Sequence, residues 1–157
     1  MMDLVLGRTY ERQNCSAARA LEVVGERWSL LIMRDALFRG TTRFSDFQRS
    51  LGLASNVLAK RLDGFVENGL MEQRVHPEHP DQQEYVPTDK GRDLKPVVLA
   101  LTAWGDRWAA PNGPPVTFEH EGCGGKVEAH LLCLKCGRSP DLAHVVAKPT
   151  RSRRRRS

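Results

Sequence analysis

No apolar run in these 157 residues is long enough to cross a bilayer, and the first thirteen residues carry no signal-peptide pattern. A membrane partner is therefore not expected. The setting these absences suggest is the cytoplasm, where four cysteines read as metal ligands or reactive thiols rather than disulfides. The chain also lacks a glycine-rich nucleotide loop, paired carboxylates in a catalytic setting and an open metal site, so no class of enzyme is suggested. Its body lacks net charge as well. The formal value of +5 comes from five arginines between Arg151 and Arg156, and the remainder carries 19 basic and 19 acidic residues. Overall basicity is thus no evidence that the folded part meets nucleic acid. The arginine tail is expected to be disordered and to add a salt-dependent, non-specific affinity for DNA.

What is present centres on residues 43–88. Phe44, Phe47 and Leu51 form one apolar stripe on a short helix, and Ser45 with Gln48 has the spacing of a capping box. Leu51-Gly52-Leu53-Ala54 reads as a turn, with Ser55 as the N-cap of a second helix. That helix buries Leu58, Leu62, Phe65 and Val66 and ends at Asn68-Gly69, where glycine can take the left-handed position after the last turn. Two short amphipathic helices joined by such a turn are a helix-turn-helix. Residues 71–75 and 83–86 then flank Pro77-Glu78-His79-Pro80-Asp81, a composition that forms a turn between strands. Helix-turn-helix followed by hairpin is a winged helix.

Upstream, Ala17, Ala18, Leu21 and Val24 give a helix that Gly25 breaks, and residues 28–38 follow as a helix apolar on most faces, suited to a domain centre. Thr42-Arg43 reads as a short strand beside the wing. Downstream, Thr88-Asp89-Lys90-Gly91 begins a long helix, with Pro96 loosening its first turns. Leu94, Val97, Val98, Leu101, Trp104 and Trp108 make a stripe too wide for one core contact, which points to a dimer contact. A dimer would set two recognition helices about one DNA turn apart, ~34 Å.

On the recognition helix, residues 55–68, the face opposite the buried set carries Ser55, Asn56, Val57, Ala59, Lys60 and Asp63. Asparagine pairs with adenine, lysine reaches guanine acceptors, and Val57 or Ala59 suits a thymine methyl. Arg61 lies next to the buried stripe, so an ion pair with Glu67 or Asp63 stands beside a phosphate contact. Arg43 and Arg49 are candidate phosphate clamps. In the wing, Arg74, His76, His79 and Gln82 can follow the flanking backbone or minor groove; a metal pair on the two histidines would have no fixed geometry in so proline-rich a loop.

Pro111-Asn112-Gly113-Pro114-Pro115 is a linker. Beyond it, His120-Glu121-Gly122-Cys123 is followed by Gly124-Gly125, and Cys133-Leu134-Lys135-Cys136 by Gly137. Two such pairs suit a structural zinc held by His120, Cys123, Cys133 and Cys136, with His130 and His144 as alternative fourth ligands. Strands are expected at residues 127–132 and 142–146. A segment of about 35 residues scarcely builds a sufficient apolar core, so a staple is needed. The competing reading is a redox or idle thiol pair, but a redox C-x2-C sits at a helix start after a strand, a context absent here.

Several of these stretches recur together, in order, in a known family. Cys15 ahead of an Ala/Leu helix, Gly25-Glu26-Arg27-Trp28-Ser29-Leu30-Leu31-Ile32, Arg43-Phe44 and Leu58-Ala59-Lys60-Arg61-Leu62 come first. Glu67-Asn68-Gly69-Leu70, Tyr85, Thr88-Asp89-Lys90-Gly91 and Trp104-Gly105 complete the set. Over roughly residues 15–110 the chain resembles the HxlR-type winged-helix transcriptional regulators, relatives of the MarR group. The resemblance implies a homodimer on double-stranded operator DNA, regulating nearby genes, with a small molecule or an electrophile as a candidate inducer. In some members a cysteine at the place of Cys15 senses oxidants or electrophiles; a small buried residue at a helix start is the plainer reading.

The expected architecture is mainly α with a small β-hairpin. An arm (1–14) leads into a winged helix for DNA binding and dimerisation (15–110), a linker (111–116), a zinc-ribbon-like segment (117–148) and an arginine-rich tail (149–157). The expected function is sequence-specific DNA binding and transcription regulation. A protein-interaction module using the winged helix as scaffold is the alternative.

Overall fold

The structure, a computed structural model, describes residues 9–149. The Arg151–Arg156 tail and the start of the arm lie outside the described residues. Within them run α1 (Ser16–Val24), α2 (Ser29–Phe38), α3 (Phe44–Leu51), α4 (Ser55–Glu67), β1 (Met71–Val75), β2 (Gln83–Pro87), α5 (Asp89–Arg92) and α6 (Lys95–Trp108). The chain is mainly helical with one antiparallel hairpin, as its patterning implies.

The core sits between α2, α3, α4 and the root of the hairpin. Ile32, Met33, Phe47, Leu58, Leu62, Phe65 and Met71 are fully buried in it. Each such side chain contributes about 1.5–3 kcal/mol on leaving water, so these residues set the angle between α3 and α4. α2 touches α3, α6 and β2 and is the central element. It starts at Trp28, the one non-glycine residue with positive φ (78°) among the described residues, whose ring lies 5.3 Å under the Arg27 guanidinium.

Local detail departs from expectation at both helix starts of the helix-turn-helix. α3 begins one residue before Ser45, with Arg43 as N-cap and no side-chain cap, so the Ser45–Gln48 capping box does not form. Ser55 is the first helical residue of α4 rather than its cap, which is Ala54. The two polar groups serve each other's elements instead. Gln48 Nε2 donates to Ser55 Oγ at 2.8 Å and pins the two helix ends together. The end of α4 is as expected: Gly69 has φ 69°, and the Leu70 and Gly69 amides bond back to Phe65 O (2.8 Å) and Val66 O (3.0 Å).

The hairpin pairs Met71 with Pro87 through Val75 with Gln83. Thr42-Arg43 lies along its edge, with Tyr85 N–H donating to Thr42 O at 2.8 Å and Arg43 bridging Glu84. The helix predicted after Thr88 is two helices. Thr88 Oγ1 caps α5, the chain turns at Asp93-Leu94, and Pro96 occupies the first turn of α6, where it has no N–H to satisfy. Of the stripe on this helix only Val98 is buried and Leu94 half-buried; Trp104 and Trp108 are 62 % and 65 % exposed. Ahead of α1, Tyr10 N–H donates to Glu22 Oε1 (2.6 Å) and Arg19 Nη2 to Tyr10 O (2.5 Å), tying residues 10–13 to that helix.

Beyond the linker the expected strands at 127–132 and 142–146 are not formed. There is one isolated bridge, Glu119 with Lys126, and a single 3-10 turn at Leu142–His144. Phe118 anchors the segment to the helical body by stacking on Phe38, centroids 4.8 Å apart and tilted by 57°.

Candidate nucleic-acid interface

α4 presents two faces of opposite chemistry. Leu58, Leu62 and Phe65 lock one face to the core, while Ser55, Asn56 and Lys60 are exposed on the other. Lys60 has no hydrogen bond or ion pair among the described residues, so its ammonium is available to an acceptor. Asn56 Oδ1 accepts from the Val57 amide at 3.0 Å, which leaves the side-chain NH2 to donate outward. Ala59 is half-buried, and Val57 packs against the core edge, offering less apolar surface than its position on the helix suggested.

Arg61 does not join this face. Its guanidinium is largely buried and pairs with Glu26 in the corner between α1 and α2, not with Asp63 or Glu67. Its Nε is buried without a hydrogen-bond partner among the described residues. Arg61 thus ties the recognition helix to the N-terminal helices through the ion pair that its position beside the buried stripe allowed, with Glu26 as the partner.

The phosphate-clamp candidates lie around one shallow depression lined by Arg43, Phe44, Asp46, Arg49, Gln73 and Gln82. Arg49 is exposed and pairs with Asp46 at 3.1 Å, one turn back on α3. Arg43 reaches across to the wing, its Nη2 lying 2.6 Å from His76 Nε2. His76 Nδ1 faces the amides of Glu78 (3.1 Å) and His79 (3.2 Å), and Glu84 Oε1 stands 3.7 Å from Nε2. His76 is consequently a half-buried organiser of the wing tip, whereas His79 remains exposed, its ring 4.9 Å away. Arg74 is exposed on β1 beside Glu72. The face is therefore mixed in charge, with its basic groups placed singly.

A buried carboxylate that periodicity does not reveal supports this geometry. Asp35 is fully buried on α2, held by Arg34 Nη2 at 2.7 Å and by Ser50 Oγ of α3 at 2.6 Å, while Arg39 Nη1 lies 3.5 Å away. It couples the central helix to the first helix of the helix-turn-helix. An aspartate inside an apolar helix was the one available signal, since such a residue is almost never buried without partners.

Cys15 is exposed at the N-cap of α1. The backbone amides of Ala18 and Ala17, with Arg19 adding to them, hold its thiol below the usual range. The other three cysteines lie beyond the linker. His120 Nδ1 is 3.3 Å from Cys123 Sγ, and Cys133 and Cys136 share the second turn, where the amides of Cys136 and Lys135 lower the Cys133 thiol. Each pair is assembled, but no three His, Cys, Asp or Glu side chains among the described residues converge into one metal cage.

Comparison with known proteins agrees with this architecture. Residues 23–113 match the family described as HxlR-like helix-turn-helix. An HTH-type transcriptional regulator of Mycobacterium tuberculosis is 40 % identical over 135 residues, covering 85 % of each chain. The crystal structure of PA1607, a putative transcription factor, aligns with a TM-score of 0.79 and 39 % identity over 89 % of this chain and 98 % of that one. The share of this chain left unmatched is smaller than the segment beyond the linker, so that likeness extends into it. The reduced form of the redox regulator HypR aligns with a TM-score of 0.54 and 26 % identity, over 59 % of this chain and 92 % of its own. No helix among the described residues is long and apolar enough to cross a membrane. With the exposed face of α4, the wing beside it and these likenesses, the chain belongs to the HxlR-like helix-turn-helix family of transcriptional regulators.

Proposed function

We propose that this regulator acts as a homodimer that reads a palindromic operator, with α4 in the major groove and the β1–β2 wing on the flanking backbone. The observation that carries the reading is the unpaired, exposed Lys60 beside Asn56 on the outer face of a helix whose other face is locked to the core. Those two side chains are the base-edge readers, with Ser55 and Ala59 beside them. Arg43, Arg49, Arg74 and His79 supply contacts to phosphate, which position the protein without reading sequence. The dimer contact is the exposed stripe of Val97, Leu101, Trp104 and Trp108 on α6, with Leu21 of α1 also exposed. Apolar surface of that kind in a regulator is ordinarily covered by a partner subunit.

Cys15 supports a second function, sensing of an electrophile or oxidant. It is solvent-exposed, its thiol is held low by helix-start amides, and HypR, a relative by structure, is a redox regulator. The protein-interaction alternative has no observation in its favour here.

The deciding experiment is a titration of the purified dimer against DNA from upstream of its own gene, with a scrambled duplex as control. Specific regulators prefer their site by ~1000-fold or more. Equal binding to both duplexes, repeated on a genomic fragment library and on protein lacking the arginine tail, overturns the reading.

A further inference from the structure

We propose that His120, Cys123, Cys133 and Cys136 bind one zinc ion, which staples the segment beyond the linker into a small ordered unit on the regulator. The basis is a repeated backbone geometry. His120 O accepts from the Gly124 amide at 2.8 Å, and Cys133 O accepts from the Gly137 amide at 2.8 Å. His120 N–H donates to Gly125 O at 2.8 Å, and Cys133 N–H donates to Arg138 O at 2.9 Å. The glycine after each second ligand has the same left-handed φ, 68° at Gly124 and 69° at Gly137. Two stretches unlike in sequence, apart from the ligand pair and that glycine, thus adopt one turn. In the first of these turns the i and i+3 side chains meet, His120 Nδ1 lying 3.3 Å from Cys123 Sγ.

A second observation is independent of the turns. From residue 119 to residue 149 no side chain is buried, and Leu131, Leu132, Leu134, Leu142, Val145 and Val146 are 56–97 % exposed. Ordered turns without a core need another source of stability, and in segments this short a metal or a disulfide supplies it. A disulfide could join Cys133 to Cys136 but would leave the matched His120–Cys123 turn unexplained.

The donor set selects the ion. One imidazole and three thiolates are four nitrogen and sulfur ligands, which suit tetrahedral zinc and exclude magnesium or calcium. Four protein ligands leave no open position, so the ion is structural. The two turns are separate clusters among the described residues, and the ion is what draws them onto one another, displacing the thiol protons as it binds. The inference stands apart from the DNA reading and does not need it.

The test uses the full chain, purified without chelator from zinc-supplemented culture and analysed for metal by mass spectrometry. About one zinc per chain is expected. Exchange for cobalt should give the visible bands of a tetrahedral thiolate site. Cys123→Ser and Cys136→Ser should each lose the metal, His120→Cys should keep it, and His130→Ala and His144→Ala should leave it unchanged. Should the serine variants misfold, the parent chain in a Cys15→Ser background provides the readout. Titrating it with a mercurial should release zinc in step with modification of its three thiols. Zinc below about a tenth of an equivalent, retention of metal in both serine variants, or a Cys133–Cys136 disulfide in metal-free protein overturns the proposal.

Discussion

Arg43 Nη2 lies 2.6 Å from Nε2 of His76, joining the start of the helix-turn-helix to the tip of the wing. Two backbone amides face the other ring nitrogen, so donors surround the imidazole, and only one nitrogen of a neutral histidine can accept. The Glu84 carboxylate accepts from Thr42 Oγ1 at 2.7 Å and stands 3.7 Å from His76 Nε2, adding an acceptor on that side of the ring. Arg43 is thus both a positioned cation and a strap on the wing.

From this position, Arg43→Ala should weaken operator and random DNA by a similar factor and reduce the slope of log affinity against log salt by about one. Anisotropy titrations at several salt concentrations read both. A loss confined to the operator would contradict the phosphate role.

Lys60→Ala and Asn56→Ala should behave in the opposite way. Each removes a base-edge partner, at a cost of about 1–3 kcal/mol against the correct base pair, while binding to random DNA changes little. Selection from a randomised half-site would show relaxed preference at one or two positions; an unaltered logo would show that neither side chain reads bases.

Asp35→Ala should destabilise the domain by about 2–3 kcal/mol, since charge-assisted hydrogen bonds to Arg34 and Ser50 disappear from a fully buried site. Urea unfolding gives the value, with a shifted midpoint and unchanged slope. A change within about 0.5 kcal/mol would mean that the network is not what couples α2 to α3.

Trp104→Asp with Leu101→Asp should give a monomer and abolish tight binding to a two-half-site operator while sparing the secondary structure. Sedimentation velocity separates the outcomes. A dimer that survives both charges would place the subunit contact elsewhere.

For Cys15 the sign follows from the lowered thiol. Its folded-state value lies below the unfolded one, so the thiolate persists to lower pH, and any contribution to stability is present above the unfolded value and lost as pH falls through the folded one. Alkylation by iodoacetamide in a background lacking the other three cysteines should therefore reach half its maximal rate at a lower pH than a model thiol peptide. A midpoint at or above that of the peptide would remove the basis for a sensor.

Much of the winged helix was legible in the chain because its signals are local. The buried faces of α3 and α4, the glycine after α4 and the two strands around a proline-rich turn depend on spacings of a few residues, and the structure reproduces them. The helix after Thr88 is legible only in part: local signals mark Pro96 as a disturbance, but the break at Asp93-Leu94 puts it in the first turn of a new helix, with α5 against β2. Within the helix-turn-helix and wing, the sequence by itself determined which elements form, which faces they bury and the family they belong to. Tertiary structure alone decided which charges are engaged. Arg61 with Glu26, Asp35 with Ser50 and Arg43 with His76 join residues from 15 to 35 positions apart. A long charged side chain reaches whatever neighbour the packing brings near, and no periodicity encodes that neighbour.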